Sequence, residues 1–385
     1  MTLYFDYAAT TPVDAAVTEA MATVLRDAAL QANPSSSHGP GLAARACVDA
    51  ARADIAALIG ADPTEIVLTS GATEANNLAV LGAARWSALR GRHLVTSVME
   101  HASVTAPFRQ LEREGYRVTW LQPDADGRIT ADALAAALQS DTTLVSLQHV
   151  NNETGVRHDI ASFGAICRAR NVLLHVDAVQ AAGRELIDVR RQSVDLLSLS
   201  AHKMYGPKGA GALFLDARRV PRVQPVLHGG GQERGLRPGT VATHQAHGMG
   251  IAARMALTAI TDEPARIAAL RERLWQAIGT VPGVLLNGHR SERACHILNV
   301  SVTGVDGESL QFALRGLAVS SGAACDAVSD EPSAVLRSLG RAPDLARSSV
   351  RFSLGRSTTA ADVDAAAACF TDAVAHLRRI APRPA

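Results

Sequence analysis

The sequence predicts an α/β protein with a large domain built on a mostly parallel, doubly wound sheet and a second, smaller α/β domain. The chain has 385 residues, and a chain of this length usually folds around more than one hydrophobic core. Between residues 65 and 215, short apolar runs alternate with alanine-rich helical stretches, and this alternation is typical of βαβ units. The runs are EIVLTS, HLVTSV, RVTWLQ, TLVSLQHV, LLHVDA, LLSLSAH and GALFL.

A glycine-rich stretch, LHGGGQERGLRPGT at 227–240, ends this alternating region. A helical pattern then runs from Val241 to Ile278, with an interruption near Pro264 because proline breaks a helix interior. Strand-like and helical segments follow, and an alanine-rich helix closes the chain. We therefore predict a large domain over 15–254 and place 255–385 in the small domain.

Composition and charge exclude several classes of protein. The formal net charge is +1, because 37 acidic residues nearly balance the basic ones. The protein therefore has no strong positive electrostatic field that would attract nucleic acid or an anionic membrane. The N-terminal segment does not resemble a signal peptide, and no apolar run is long enough to cross a membrane. The five cysteines are odd in number and lack CxxC spacing, which argues against disulfides and a zinc site. We expect a reducing cytoplasm.

Both lysines of the chain, Lys203 and Lys208, lie in the segment SLSAHKMYGPKGAGAL. Lys203 follows an apolar strand and precedes a turn rich in glycine and proline, so its amine is expected at the carboxyl edge of the sheet. A lysine there can form an imine with a carbonyl ligand, which arginine cannot do. The alternative is a surface charge that was retained by chance.

Two other strand ends also carry polar groups. In LTSGATEANN, a strand leads through small residues into a helix start near Thr73, which can bind phosphate or simply be a capped helix. In LLHVDAVQ, Asp177 ends a buried strand, where it can hold a protonated pyridine nitrogen or cap a following helix. A phosphate turn, a carboxylate and a lysine in this order fit one ligand, pyridoxal 5'-phosphate (PLP).

At this point the sequence resembles the PLP-dependent cysteine desulfurases of the class V aminotransferase group. The resemblance implies PLP fold type I with a seven-stranded large-domain sheet, and it adds residues 1–14 to the small domain. It covers nearly the whole chain through YFDYAATTP, NPSSSHG, SGATEANN, MEHASV, NNETG, HVDAVQ, SAHKMYGPKG, GGGQERGLRPGT, SSGAAC and VRFSLGRSTT.

The resemblance also implies a role for each site residue. Lys203 would form the imine with the cofactor, and His101 would stack on its ring and take part in catalysis. Asp177 would pair with the pyridine nitrogen, Gln180 and Asn152 would lie near the phenolic oxygen, and Asn152 and Arg351 would bind substrate. The phosphate end would be held by Ala72, Thr73, Ser200 and His202, and by Thr240 of a partner subunit, which implies a homodimer.

Cys325 lies in SSGAACDAVSDEPS, a run of small and polar residues without apolar periodicity. In the family, such a cysteine takes sulfur from L-cysteine, leaves L-alanine, and passes the persulfide to an acceptor protein such as an iron–sulfur scaffold or a thiolation enzyme. Asp326 and Asp330 are expected to raise the pKa of this thiol. A selenocysteine lyase, another β-eliminating PLP enzyme or a non-catalytic binding protein of this fold remain alternatives.

Overall fold

The computed structural model describes residues 2–220, 223–321 and 331–380. Its strands are β1 (Leu3–Tyr4), β2 (Ile66–Thr69), β3 (His93–Ser97), β4 (Arg117–Leu121), β5 (Thr142–Gln148), β6 (Leu173–Asp177), β7 (Leu196–Ser200), β8 (Gly211–Leu215), β9 (Val284–Leu286), β10 (Ile297–Val302), β11 (Leu317–Ala318) and β12 (Ser349–Ser353).

Helices alternate with these strands along the chain. They are α1 (Ala15–Arg26), α2 (Gly39–Ile59), α3 (Ala72–Trp86), α4 (Ala102–Arg113), α5 (Ala131–Ala137), α6 (Ile160–Ala169), α7 (Thr243–Ala259), α8 (Glu263–Ile278), α9 (Gly307–Ala313), α10 (Ala334–Ser338), α11 (Pro343–Arg347) and α12 (Ala360–Ile380). Short 3₁₀ turns occupy Pro63–Glu65, Ala201–Lys203 and Gln232–Gly235.

The main sheet has seven strands in the order β2-β8-β7-β6-β5-β3-β4. Strand β8 runs antiparallel to both of its neighbours, and the other pairs are parallel. Every residue of β5, β6 and β7 is buried, as expected for central strands that are covered by helices on both faces. The predicted fold class is confirmed, and each of the seven apolar runs corresponds to one strand.

A second hydrophobic core forms around a three-stranded antiparallel sheet in the order β12-β10-β9, with α8 and α12 packed against it. Strand β1 pairs in parallel with β11, and Phe5 belongs to this second core. The N-terminal segment thus packs with the C-terminal part of the chain, although the domain bounds themselves stay predictions. The helical pattern from Val241 to Ile278 forms α7 and α8, with Pro264 in the first turn of α8.

None of the described helices is long and apolar enough to cross a membrane.

Glu233 anchors the glycine-rich stretch to neighbouring elements, and its side chain is only 4% exposed. Its carboxylate accepts two hydrogen bonds from the Arg52 guanidinium, each 2.8 Å long, and a third from the backbone N–H of Leu68 at 2.7 Å. The carboxylate therefore ties this stretch to both α2 and β2.

Glu233→Ala is expected to lower the free energy of unfolding by about 3–5 kcal/mol, because it leaves the Arg52 charge poorly paired and largely buried. Glu19→Ala is the matched control, since Glu19 pairs with Arg26 in a bridge whose side chains are 70% and 73% exposed. That change is expected to cost about 0–1 kcal/mol. Chemical unfolding of the two variants tests this, and equal losses would contradict it.

Candidate active site

A cavity of about 540 Å³ opens at the carboxyl edge of the main sheet, where ligand sites of parallel sheets are usually found. Ten predicted site residues line it together: Ala72, Thr73, His101, Asn152, Asp177, Gln180, Ser200, His202, Lys203 and Arg351. Thr240 is exposed and lines a neighbouring cavity of about 160 Å³, which shares Ser70 and Gly209 with the first. Cys325, Asp326 and Asp330 lie outside the described residues.

Lys203 ends the 3₁₀ turn that follows β7. Its Nζ donates hydrogen bonds to the backbone carbonyls of Ala8 and Ala9, the latter at 2.8 Å. The N-terminal segment therefore holds the amine at the cavity wall. Burial and the charges of Lys203 and Lys208 lower the pKa of His202 to about 4, so its imidazole is neutral at pH 7.

Asp177 ends β6 and is buried. Its carboxylate accepts hydrogen bonds from Asn76 Nδ2 at 2.9 Å and from the backbone N–H of Val179 at 3.1 Å. Residues 179–184 form turns, so the interpretation of Asp177 as the cap of a following helix is wrong. A carboxylate held in this way at the cavity wall can accept a hydrogen bond from a ligand.

Helix α3 begins at the cavity with Ala72 and Thr73. Its cap residue is Gly71, which has no side chain to bond the amides of the first turn. Glu74 instead accepts a hydrogen bond from the backbone N–H of Ser70 at 2.8 Å and pairs with Arg237 at 2.8 Å. The first-turn amides thus keep their capacity for an anion, which the N-terminus of a helix attracts.

Of the other wall residues, Gln180 is fixed by contacts with distant parts of the chain and His101 by a local contact. Gln180 Nε2 donates to the Ala8 carbonyl at 2.8 Å, and His296 lies 3.3 Å from Gln180 Oε1 through its Nε2. His101 caps α4 and lies 2.8 Å from Ser103 Oγ through its Nδ1. These contacts give the wall side chains defined orientations.

The Arg351 side chain is only 2% exposed although it lines the cavity. Its Nη1 donates to the carbonyl of Asn152 at 2.9 Å, and its Nη2 pairs with Asp6 Oδ1 at 2.9 Å. A guanidinium held in this way can bind a carboxylate through its other N–H groups.

Four neighbours of the site were missed by the sequence reasoning, and they are Asp6, Ala8, Asn76 and His296. Asp6 and Ala8 belong to YFDYAATTP and Asn76 to SGATEANN, so their motifs were recognised but their contacts were not. His296 is fully buried, and nothing in the sequence indicates its contact with Gln180.

Besides Cys325, the sequence has four cysteines in helical or strand-like patterns, and these patterns predict packed cysteines. Cys167 and Cys295 are buried, and burial raises the pKa of their thiols to about 12 and about 11. Two details differ from the expectation: Cys47 and Cys369 are only half-buried, and Cys295 lies in the turn before β10. None of these four described cysteines lines the cavity.

The family model described as "Aminotransferase class-V" matches residues 3–366. The chain is 50% identical over 381 residues to "Cysteine desulfurase IscS" of Shewanella loihica, covering 99% of this chain and 94% of that protein. It belongs to the cysteine desulfurases of the class-V aminotransferase family. The family resemblance predicted from the sequence motifs is thereby confirmed.

Two solved structures extend this comparison. A structure titled "NIFS-LIKE PROTEIN" matches with a TM-score of 0.90 and 31% identity, covering 98% of this chain and all of that chain. A second structure, titled "SspA in complex with cysteine", matches with a TM-score of 0.81 and 37% identity. The match covers 92% of this chain and 99% of that chain. The enzymes of this family depend on PLP. The donor set of the cavity fits that cofactor, because it offers an amine, a carboxylate and a helix N-terminus without a side-chain cap.

Proposed function

We propose that this protein is a PLP-dependent L-cysteine desulfurase that converts L-cysteine to L-alanine and leaves the sulfur as a persulfide on Cys325. The observation that carries the proposal is the single cavity in which the Lys203 amine, the Asp177 carboxylate and the start of α3 come together. Relatives named cysteine desulfurase, and a similar structure whose title includes bound cysteine, support the substrate.

In this proposal the cofactor phosphate binds at the start of α3, to Ala72 and Thr73, and to Ser200 and His202. His101 stacks on the cofactor ring, and Gln180 and Asn152 lie near its phenolic oxygen. When bound, PLP supplies an electron sink for the bonds that change at the substrate.

The protein's own groups then act in defined ways. The Asp177 carboxylate holds a proton on the pyridine nitrogen, and the Lys203 amine attaches the cofactor and moves a proton at the substrate. Arg351, together with Asn152, binds the substrate carboxylate and fixes its orientation.

Sulfur transfer falls to the Cys325 thiolate, which attacks the substrate sulfur so that an S–S bond forms as the C–S bond breaks. The β-carbon of the substrate, which has lost the sulfur, gains a proton and becomes the methyl group of L-alanine. The persulfide then passes to a protein acceptor, such as an iron–sulfur scaffold or a thiolation enzyme.

We also propose a homodimer in which Thr240 contacts the cofactor phosphate of the partner subunit. Its exposed position in the glycine-rich stretch, beside the cavity rather than inside it, supports this. We propose a reducing cytoplasm as its location, on the basis of the odd number of cysteines and their lack of CxxC spacing. The nearly balanced charge supports the absence of direct nucleic-acid binding.

The test is to incubate the purified holoenzyme with L-cysteine, quantify L-alanine, and map the added sulfur by peptide mass spectrometry. One L-alanine per transferred sulfur, with the persulfide on Cys325, is expected. A parallel incubation with L-selenocysteine distinguishes a selenocysteine lyase, which would form alanine from that substrate alone. A β-eliminating enzyme would form pyruvate instead of alanine, and a PLP-loaded protein that forms neither product from either substrate would be a binding protein of this fold.

Asp177→Asn is expected to lower the rate with L-cysteine by roughly 10²-fold, while most of the cofactor is retained. An amide cannot stabilise the pyridinium proton as a carboxylate does, whereas the phosphate contacts are unchanged. The measurement is turnover alongside the cofactor-to-protein absorbance ratio. Asp141→Asn is the control, because Asp141 directly precedes β5 and so lies at the amino edge of the sheet. An unchanged rate in Asp177→Asn would contradict the assignment.

A further inference from the structure

The carboxylate of Asp6, just beyond β1, is shared between two side chains. Its Oδ1 accepts a hydrogen bond from Arg351 Nη2 at 2.9 Å and another from Ser320 Oγ at 2.8 Å. The Asp6 side chain is 20% exposed, whereas that of Arg351 is 2% exposed. A nearly buried cation thus depends on a carboxylate that solvent partly reaches.

The backbone fixes these three residues relative to one another. The N–H of Arg351 donates to the carbonyl of Ser320 at 2.8 Å, and the N–H of Ser320 donates back to the carbonyl of Arg351. Asp6 forms a parallel bridge to Ser353 on the same strand, β12. Asp6 therefore meets the guanidinium from a backbone that is itself anchored to the arginine's strand.

The guanidinium is held but not saturated. Nη1 donates to the Asn152 carbonyl and Nη2 to Asp6, while the buried Nε has no hydrogen-bond partner in the part of the chain that the structure describes. A buried donor without a partner is costly, so a ligand acceptor at this guanidinium would be favoured. Asp6 balances the charge and fixes the plane of Arg351 without using all of its donors.

We infer that Asp6 is a positioning residue that orients Arg351 for the carboxylate of the amino-acid substrate, with Ser320 fixing the Asp6 carboxylate in turn. This inference rests on the proposed function, because it takes Arg351 as the group that binds the substrate carboxylate. Without Asp6, the only hydrogen bond that the guanidinium keeps to the described residues is the one to Asn152, and its fork is no longer held in one plane. Affinity for the carboxylate falls, but affinity for the amino group does not.

The test titrates PLP-loaded protein with two ligands and follows the visible absorbance of the cofactor. L-alanine carries a carboxylate, whereas ethylamine offers only the amine. Asp6→Ala is expected to raise the dissociation constant of L-alanine at least about tenfold and to leave that of ethylamine unchanged. An equal loss for both ligands, as a general distortion of the cavity would produce, overturns the inference.

Asp14→Ala is the matched control. Asp14 lies on the same N-terminal segment, pairs with Arg356 at 2.9 Å and has a side chain that is 21% exposed, but it does not contact Arg351. The Asp14→Ala variant is expected to bind L-alanine with the same affinity as the parent protein. Should Asp6→Ala fail to fold in a thermal unfolding scan, Asp6→Asn keeps the acceptor oxygen but not the charge. The Asp6→Asn variant is then expected to bind L-alanine with a dissociation constant raised about threefold or more. An unchanged affinity overturns the inference.

A double-mutant cycle with Arg351→Ala separates this inference from the proposed function. If Asp6 acts through Arg351, Asp6→Ala adds no further loss of L-alanine affinity in the Arg351→Ala background. An additive loss overturns the inference, as does normal L-alanine affinity in Asp6→Ala when Arg351→Ala is impaired. Unchanged L-alanine affinity in Arg351→Ala would instead refute the proposed role of Arg351, and the inference with it.

Discussion

Lys203→Arg is expected to abolish conversion of L-cysteine, with a residual rate at least about 10³-fold below that of the parent enzyme. The substitution keeps the positive charge and can still donate to the Ala8 and Ala9 carbonyls that hold the lysine amine. A guanidinium, however, neither forms an imine nor gives up a proton near neutral pH. The loss therefore tests the chemistry of the amine rather than its charge. Turnover is measured as L-alanine formed per holoenzyme.

Lys208→Arg is the control, since Lys208 is the other lysine and also lies at the cavity, but it is exposed. Its rate is expected to stay within about tenfold of the parent's. Borohydride reduction of the holoenzyme followed by peptide mapping should place the cofactor on Lys203. A label on Lys208, or a Lys203→Arg rate within about tenfold of the parent's, would refute the assignment.

The fold of the main sheet was predictable because its strands are short and apolar and because every residue of all but the edge strand β4 is buried. Each run between residues 65 and 215 therefore stands out from the alanine-rich helices around it. The antiparallel direction of β8 was not predictable, because an apolar run such as GALFL carries no signal of the direction in which the strand pairs. The pairing of β1 with β11 joins residues more than 300 positions apart, and only the family resemblance indicated that the N-terminal segment packs there.

The site was predictable to the extent that it lies at strand ends. Asp177 ends β6, Ser200 ends β7 and Lys203 ends the turn that follows β7, so their proximity follows from parallel pairing. Contacts made across the fold have no such signature. The carbonyl of Ala8 accepts from both Lys203 and Gln180, and His296 reaches Gln180 from the loop before β10. Burial and nearby cations lower the pKa of His296 well below its usual value, so it is neutral there.

Cys325→Ser is expected to stop sulfur transfer, with L-alanine formation reduced at least about 10³-fold. A hydroxyl attacks sulfur far less readily than a thiolate. Cofactor content and the absorbance change on binding L-cysteine are expected to be preserved, because the residues that line the cavity, including Lys203, Asp177 and Arg351, are unchanged. The variant thus separates binding of the substrate from removal of its sulfur. Stopped-flow absorbance and L-alanine analysis measure the two parts.

Cys369→Ser is the matched control, because Cys369 is half-buried on α12, is a free thiol, and does not line the cavity. Burial and Asp372 raise the pKa of its thiol, so it supplies little thiolate at neutral pH. Cys47, also half-buried and with its thiol pKa raised by burial, is expected to be equally dispensable. Normal L-alanine formation by Cys325→Ser would mean that another group accepts the sulfur. The transfer step as proposed would then be wrong, even if the cofactor site around Lys203 were correct.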